Sequence, residues 1–177
     1  MGFFEGFFAE TARLTLREAT PEDAAALAAL RSTSFVMRYN LYEPCAPSKM
    51  AEEIAAYPHV LLKDRQTGAV IGAISLRDDD FRYHIEAKEM AAFLTEEKAY
   101  CGLMAEAIPP VMAWIFTHGI ERISIRIFAP NKASCRLAEK LGFVREGYLP
   151  RAVKTKAGEV FDVVLYSLSG DAFFAKK

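Results

Sequence analysis

Residues 129–147 read APNKASCRLAEKLGFVREG, and the order of signals in this stretch decides the fold. Asn131 has a short side-chain acceptor suited to a helix N-cap. NKASCRLAEKL then runs as a helix until Gly142, a residue that supplies the left-handed stop. The chain restarts as a strand, FVREGYL. On the other side, ERISIRIF ends at Phe128 as a strand. It follows a helix predicted from about Gly102 to His118, and before that KEMAAFL at 88–94 reads as another strand. Strand, helix, strand implies a right-handed crossover, which sets KEMAAFL parallel to RISIRIF.

The rest of the chain fits around that unit. ARLTLRE at 12–18 alternates apolar and polar residues as a half-buried strand does. Thr20, Pro21 and Asp23 supply an N-cap, a first-turn proline and an acidic first turn for an Ala-rich helix running to about Arg31. Residues 35–47 read as irregular, after which Ser48 is expected to cap a short helix closed by Pro58. HVLLKDRQTGAVIGAISLRD forms two strands around a Gln66-Thr67-Gly68 turn. FVREGYL and VFDVVLYSL form two more around Lys156-Ala157-Gly158. The sum is a mixed α/β sheet of about seven strands with helices on both faces. Residues 1–177 are expected to make one domain, with 1–10 as an apolar leader of unclear role.

Composition narrows the function. The chain has 177 residues, 52% of them hydrophobic, enough for one packed core. Twenty-two Lys and Arg against 23 Asp and Glu give a net charge of -1, without the basic stripe that a nucleic-acid partner needs. The longest apolar stretch, AIPPVMAWIF, is far below the roughly 20 residues that span a bilayer. The start, MGFFEGFF, lacks a basic region, a signal-type cleavage site and a Ser or Thr at position 6 for myristoylation. Cys45, Cys101 and Cys135 are odd in number and far apart, fitting reduced thiols. These features predict a cytoplasmic protein, monomer or homodimer, without a nucleic-acid or membrane partner.

Two segments, FLTEEKAYCGLMAEA at 93–107 and APNKASCRLAEKLGFVREG at 129–147, together resemble the GNAT superfamily of N-acetyltransferases. The resemblance extends from ARLTLREATPEDAAAL to DVVLYSL and is nearest the branch containing ribosomal-protein alanine and serine acetyltransferases. It implies a mostly antiparallel sheet with one parallel pair splayed around acetyl-coenzyme A. It also implies a pyrophosphate held on the amides that begin the first helix, where unpaired N–H groups and partial positive charge suit an anion. The family's turn carries Gln or Arg, two residues, Gly, one residue, then Gly or Ala. Here Ala99, Gly102 and Met104 stand at those places, so only the central glycine matches. Tyr100 also replaces a frequent glycine, and positive φ would cost it roughly 1–2 kcal/mol. The backbone N–H groups of Tyr100, Cys101, Gly102, Leu103 and Met104 remain, provided that Tyr100 keeps negative φ and turns its ring outward. Pro109 and Pro110 predict a kink or break near Ala105 and Glu106.

The implied reaction needs a pantetheine edge, an oxyanion donor, a base and an acid. Phe93 and Leu94, at the end of KEMAAFL, are expected to offer main-chain groups to the pantetheine arm. Asn131 either bonds that arm or only caps its helix. The tyrosine that many members place before Glu-Lys-Leu-Gly-Phe is Ala138 here, so Ser134, matching the serine of Asn-x-x-Ser, is the expected proton donor to the thiolate. A carboxylate used by some members is Val153 here, which leaves Glu89 or the nearby His84 as the candidate base, or water where neither serves. The acceptor is an amine on a protein N-terminus or a small molecule, walled by residues 35–58 and 154–161. A non-catalytic acyl-coenzyme A-binding or protein-interaction module, with FFEGFF as an apolar contact, is the alternative. No metal is expected: His59 and His118 are isolated, and Asp78-Asp79-Asp80 reads as a solvated hairpin end.

Overall fold

The computed structural model describes residues 2–175. In chain order its elements are β1 (Phe8–Glu10), β2 (Leu14–Glu18), a 3-10 turn at Pro21–Asp23, α1 (Ala24–Arg31), α2 (Ser34–Met37), α3 (Pro47–Ala56), β3 (His59–Asp64), β4 (Val70–Asp78) and β5 (Ala87–Leu94). A second 3-10 turn at Glu96–Lys98 leads to α4 (Leu103–Thr117), β6 (Arg122–Phe128), α5 (Lys132–Leu141), β7 (Val144–Lys154), β8 (Val160–Ser169) and α6 (Gly170–Phe174). Strands are hydrogen-bonded in the order β1-β2-β3-β4-β5-β6-β8-β7. Only β5 and β6 are a parallel pair, as the crossover rule requires.

The sheet has eight strands rather than about seven, and the additional one lies in the leader. Phe8, Ala9 and Glu10 pair antiparallel with Arg17, Leu16 and Thr15. Phe4 and Phe7 are buried. Phe7 meets Trp114 edge-on at 5.4 Å, and the Trp114 indole N–H donates to the Phe3 carbonyl at 3.1 Å. Phe4 and Phe7 of the leader therefore belong to the core, while Phe8 stays exposed.

The chain packs as two compact units. One comprises Met1–Arg77 with Ala91–Trp114, the other Asp78–Met90 with Ile115–Lys177. In the first unit, Leu14 and Leu16 alternate inward from β2, and Val60, Leu61 and Leu62 of β3 are all buried, as in a strand covered on both faces. Leu27 and Ala28 of α1 and Met50 and Ile54 of α3 close over Leu61 and Ala73. Pro47 rather than Ser48 opens α3, with Ala46 as its extended N-cap, because proline's fixed φ suits the first helical position.

In the second unit, Ile123 and Ile127 of β6 and Val164, Tyr166 and Leu168 of β8 are buried, as are Ala138 and Phe143. Gly142 ends α5 at φ 92. Helix α4 runs unbroken through Pro109 and Pro110. Two interior prolines cost roughly 3 kcal/mol each, while burial of Leu103, Ile108, Val111, Met112 and Ile115 returns roughly 1.5–3 kcal/mol per side chain. Burial wins, and the predicted break does not occur. No helix among the described residues is long and apolar enough to cross a membrane.

Candidate functional site

In the first unit, β5 turns into α4 through a tethered loop. The Thr95 N–H bonds the Ile71 carbonyl at 2.8 Å, and the Ala99 N–H bonds Glu96 at 3.1 Å. Lys98 Nζ reaches Asp64 Oδ2 at 2.5 Å. The Lys98 bond, joined by the Thr67 and Gln66 N–H groups, holds the Asp64 carboxyl at about 2. Asp64 holds Lys98 above the usual ammonium range in return.

Tyr100 then takes φ 60 and Gly102 φ 83. The expectation that Tyr100 keeps negative φ is wrong, although its ring does point outward, 79% exposed and edge-on to Phe35 at 6.2 Å. The cause is the tethers on both sides of it. Behind it stand the bonds of Lys98 and Ala99; ahead, Arg13 Nη1 donates to the Cys101 carbonyl at 3.0 Å, and the Cys101 thiol donates to the Lys98 carbonyl at 3.0 Å. Helix α4 begins directly afterwards, so the Leu103 and Met104 amides have no helical carbonyl to bond. Consecutive amides in left-handed and right-handed backbone make a concavity suited to an anion.

Arg13 is part of a bracket that sequence reasoning missed. Glu106 Oε1 accepts from the Arg13 N–H at 2.8 Å and from the Thr11 hydroxyl, while Oε2 accepts from Arg13 Nε at 2.8 Å. Burial alone would raise the Glu106 carboxyl, but the bonds from Thr11 and Arg13 hold it below the usual range. A first-turn glutamate is ordinarily read as a partner of the helix dipole, so nothing local signalled a partner 93 residues away.

Phe93 and Leu94 stand at the end of β5 in this same unit. Phe93 is half-buried and edge-on to Tyr42 at 6.1 Å, and Leu94 is buried. A Cβ on Gly72 would lie 2.2 Å from the Phe93 carbonyl, so only glycine allows β4 to approach so closely. The registered pairs of β5 with β6 are Ala87 with Arg122, Lys88 with Ile123 and Glu89 with Ser124, while β5 continues to Leu94. Nearby stands His59. It is buried, its Nδ1 bonds the Tyr57 carbonyl at 2.7 Å, and burial lowers its imidazole below the ordinary range. Glu53, paired with Arg31, is among the charges acting on it.

In the second unit, Asn131 caps α5 by accepting from the Ser134 N–H at 3.2 Å. The Ser134 hydroxyl is half-buried and has no hydrogen-bond partner among the described residues. Ala138 is buried, so the position that many family members give to tyrosine is core here. Glu89 lines a cavity of about 220 Å³ with Asp79, Arg82, Ser124, Arg126 and Glu146. Its Oε2 bonds Arg126 Nη2. Asp79 is buried rather than solvated, accepting from the Phe81 N–H at 3.0 Å and from the Ser124 hydroxyl. His84 is exposed at φ 57 and makes no bond to Glu89. Among the described residues no three His, Cys, Asp or Glu side chains gather as metal ligands do.

The model of the acetyltransferase (GNAT) domain matches residues 13–144, about three quarters of the chain. The chain belongs to the GNAT acetyltransferase family. It is 30% identical over 175 residues to an uncharacterized N-acetyltransferase, YoaA, of Bacillus subtilis, covering 90% of this chain and 94% of that one. Among solved structures, ribosomal-protein-S5-alanine acetyltransferase from Vibrio fischeri aligns with a TM-score of 0.83 at 19% identity, covering 94% of this chain and 98% of that one. Spermidine N-acetyltransferase from Vibrio cholerae, in complex with CoA and spermine, aligns with a TM-score of 0.81 at 22% identity, covering 93% and 99%. Both share the fold. Family membership makes this acetyltransferase an enzyme with acetyl-coenzyme A as co-substrate. Its loop departs from the family's glycines yet keeps left-handed backbone at Tyr100 and Gly102, and open amides begin α4.

Proposed function

We propose that this acetyltransferase moves the acetyl group to a primary amine, on a protein N-terminus or a small molecule, by direct attack. The observation that supports the reading is the open amides that begin α4 directly after left-handed Gly102. In this reading the amides of Tyr100, Cys101, Gly102, Leu103 and Met104 receive the pyrophosphate. Main-chain groups of Phe93 and Leu94 hold the pantetheine arm.

The amine nitrogen forms its bond to the acetyl carbon as the carbon–sulfur bond breaks. Glu89, through the carboxylate oxygen that Arg126 leaves open, takes the proton lost by the amine. Ser134, whose hydroxyl is unengaged, passes a proton to the departing thiolate and regains one from solvent. The whole chain acts as one cytoplasmic domain, monomeric or homodimeric, without nucleic acid or membrane.

Acetyl-coenzyme A at 100 times its dissociation constant is expected to add about 2.7 kcal/mol of stability, read as a rise in melting temperature. Adding an amine panel is then expected to release thiol. Ser134→Ala slows that release and keeps the thermal shift; undiminished turnover would remove Ser134 from the mechanism. A thermal shift without release from any amine would identify a non-catalytic binding module instead.

A further inference from the structure

The cavity of the second unit is smaller than the roughly 300–1,000 Å³ of sites for drug-sized ligands, so it fits a small acceptor. Its polar groups can be accounted for one by one. Both oxygens of Asp79 are taken, by the Phe81 N–H and the Ser124 hydroxyl. Both oxygens of Glu146 are taken, by Arg82 Nη2 and, at 3.3 Å, by Arg122 Nη1. Glu89 gives Oε2 to Arg126 and keeps Oε1 open.

Three carboxylates and two guanidinium groups line the cavity, and more of the guanidinium than of the carboxylate hydrogen-bonding capacity is left open. Arg82 Nε is buried with no hydrogen bond, 3.6 Å from Asp79 Oδ2. Arg126 donates Nη2 alone, which leaves Nε and Nη1 open among the described residues. The Phe81 ring lies 5.4 Å from the Arg126 guanidinium carbon, a cation–π contact. Among the described residues, the groups without a hydrogen bond are therefore one carboxylate oxygen and four guanidinium nitrogens, Nε and Nη1 of both Arg82 and Arg126. Arg82 Nε is covered and faces Asp79, whereas the Arg126 side chain is 41% exposed and can turn its open nitrogens to an acceptor.

That inventory discriminates among amines. A polyamine brings only donors, and all but one of the carboxylate oxygens it would seek are already engaged. An amide or peptide carbonyl brings an acceptor without charge. An α-amino acid brings one ammonium and one carboxylate, and guanidinium forks match carboxylates in geometry as well as charge. Leu165 adds an apolar wall for a side chain. We infer that this cavity receives a free α-amino acid as acetyl acceptor, its carboxylate on Arg82 and Arg126 and its amine at Glu89. The assignment rests on the acetyl-transfer reading above and names that reaction's substrate class.

Thiol release from acetyl-coenzyme A by the full chain tests it, with alanine, leucine and methionine each compared with its carboxamide, and with spermine alongside. The free amino acids are expected to exceed their carboxamides in kcat/KM by about 30-fold or more, the size of effect that loss of a charge-paired partner produces. Arg126→Gln is expected to erase most of that preference, and Arg126→Lys to retain part of it, with melting temperatures reporting that each variant folds. Carboxamides or spermine acetylated as well as the amino acids would overturn the inference alone. So would a chain that acetyl-coenzyme A stabilises but that releases no thiol with any amino acid. Failure of acetyl-coenzyme A to raise the melting temperature would overturn the acetyl-transfer reading and this inference with it.

Discussion

Gly102→Ala isolates the backbone requirement of the loop. A Cβ added at Gly102 meets only Arg13 Nη2, at 3.7 Å, an ordinary van der Waals distance. Steric clash is thus negligible, and what remains is the cost of φ 83 for an L-residue, roughly 1–2 kcal/mol. That cost divides in a definite way. If the alanine loop keeps the left-handed turn, the free protein loses the full amount of stability and acetyl-coenzyme A affinity is unchanged. If the loop relaxes, stability is spared and binding must restore the turn, which weakens affinity up to roughly 5-fold to 30-fold.

The account therefore fixes the sum: loss of unfolding free energy plus loss of binding free energy is roughly 1–2 kcal/mol. Urea denaturation of the free protein supplies the first quantity and isothermal titration with acetyl-coenzyme A the second. A sum within about 0.3 kcal/mol of zero, inside the error of additivity, would refute the reasoning, because the bound loop would then not need left-handed backbone at position 102. A sum above about 4 kcal/mol would contradict it from the other side, since such losses come from cavities, clashes or unpaired charge.

Two further outcomes follow from the same loop. Tyr100→Gly removes the strain at φ 60 and is expected to tighten acetyl-coenzyme A or leave it unchanged by titration; a loss of about tenfold would mean that the exposed ring contacts the coenzyme. Asp64 is held at about 2 in the folded chain against roughly 3.9 unfolded. Its pairing therefore stabilises fully above the unfolded value and is lost as pH falls from about 4 towards 2. Lys98→Met should lose less stability than the parent between pH 5 and pH 3 in urea titrations, and parallel curves would contradict the pairing.

What the sequence made legible was local. Asn131, Gly142 and the period of NKASCRLAEKL fix α5 without help from elsewhere, and the 88–94 and 122–128 strands follow from their apolar composition and the crossover rule. The parts that were not legible depend on distant partners. Phe8–Glu10 becomes a strand only because β2 is there to pair with it. The left-handed Tyr100 is imposed partly by Arg13 through the Cys101 carbonyl, which lies 88 residues from Arg13 along the chain. Asp79 reads as one of three solvated acids until Ser124, 45 residues on, is brought beside it. The two prolines of α4 obey their local penalty, yet the apolar surface that the helix buries outweighs it. Of the candidate site, the loop was legible locally, while the pairing of the cavity's arginines and carboxylates was not, since it comes from hydrogen bonds spanning up to 64 residues.

The most direct measurement of the central claim is the change in backbone amide resonances when coenzyme A is titrated into the isotopically labelled chain. The amides of Tyr100 through Met104 are predicted to move most, and a titration in which they stay fixed while coenzyme A binds would contradict the account.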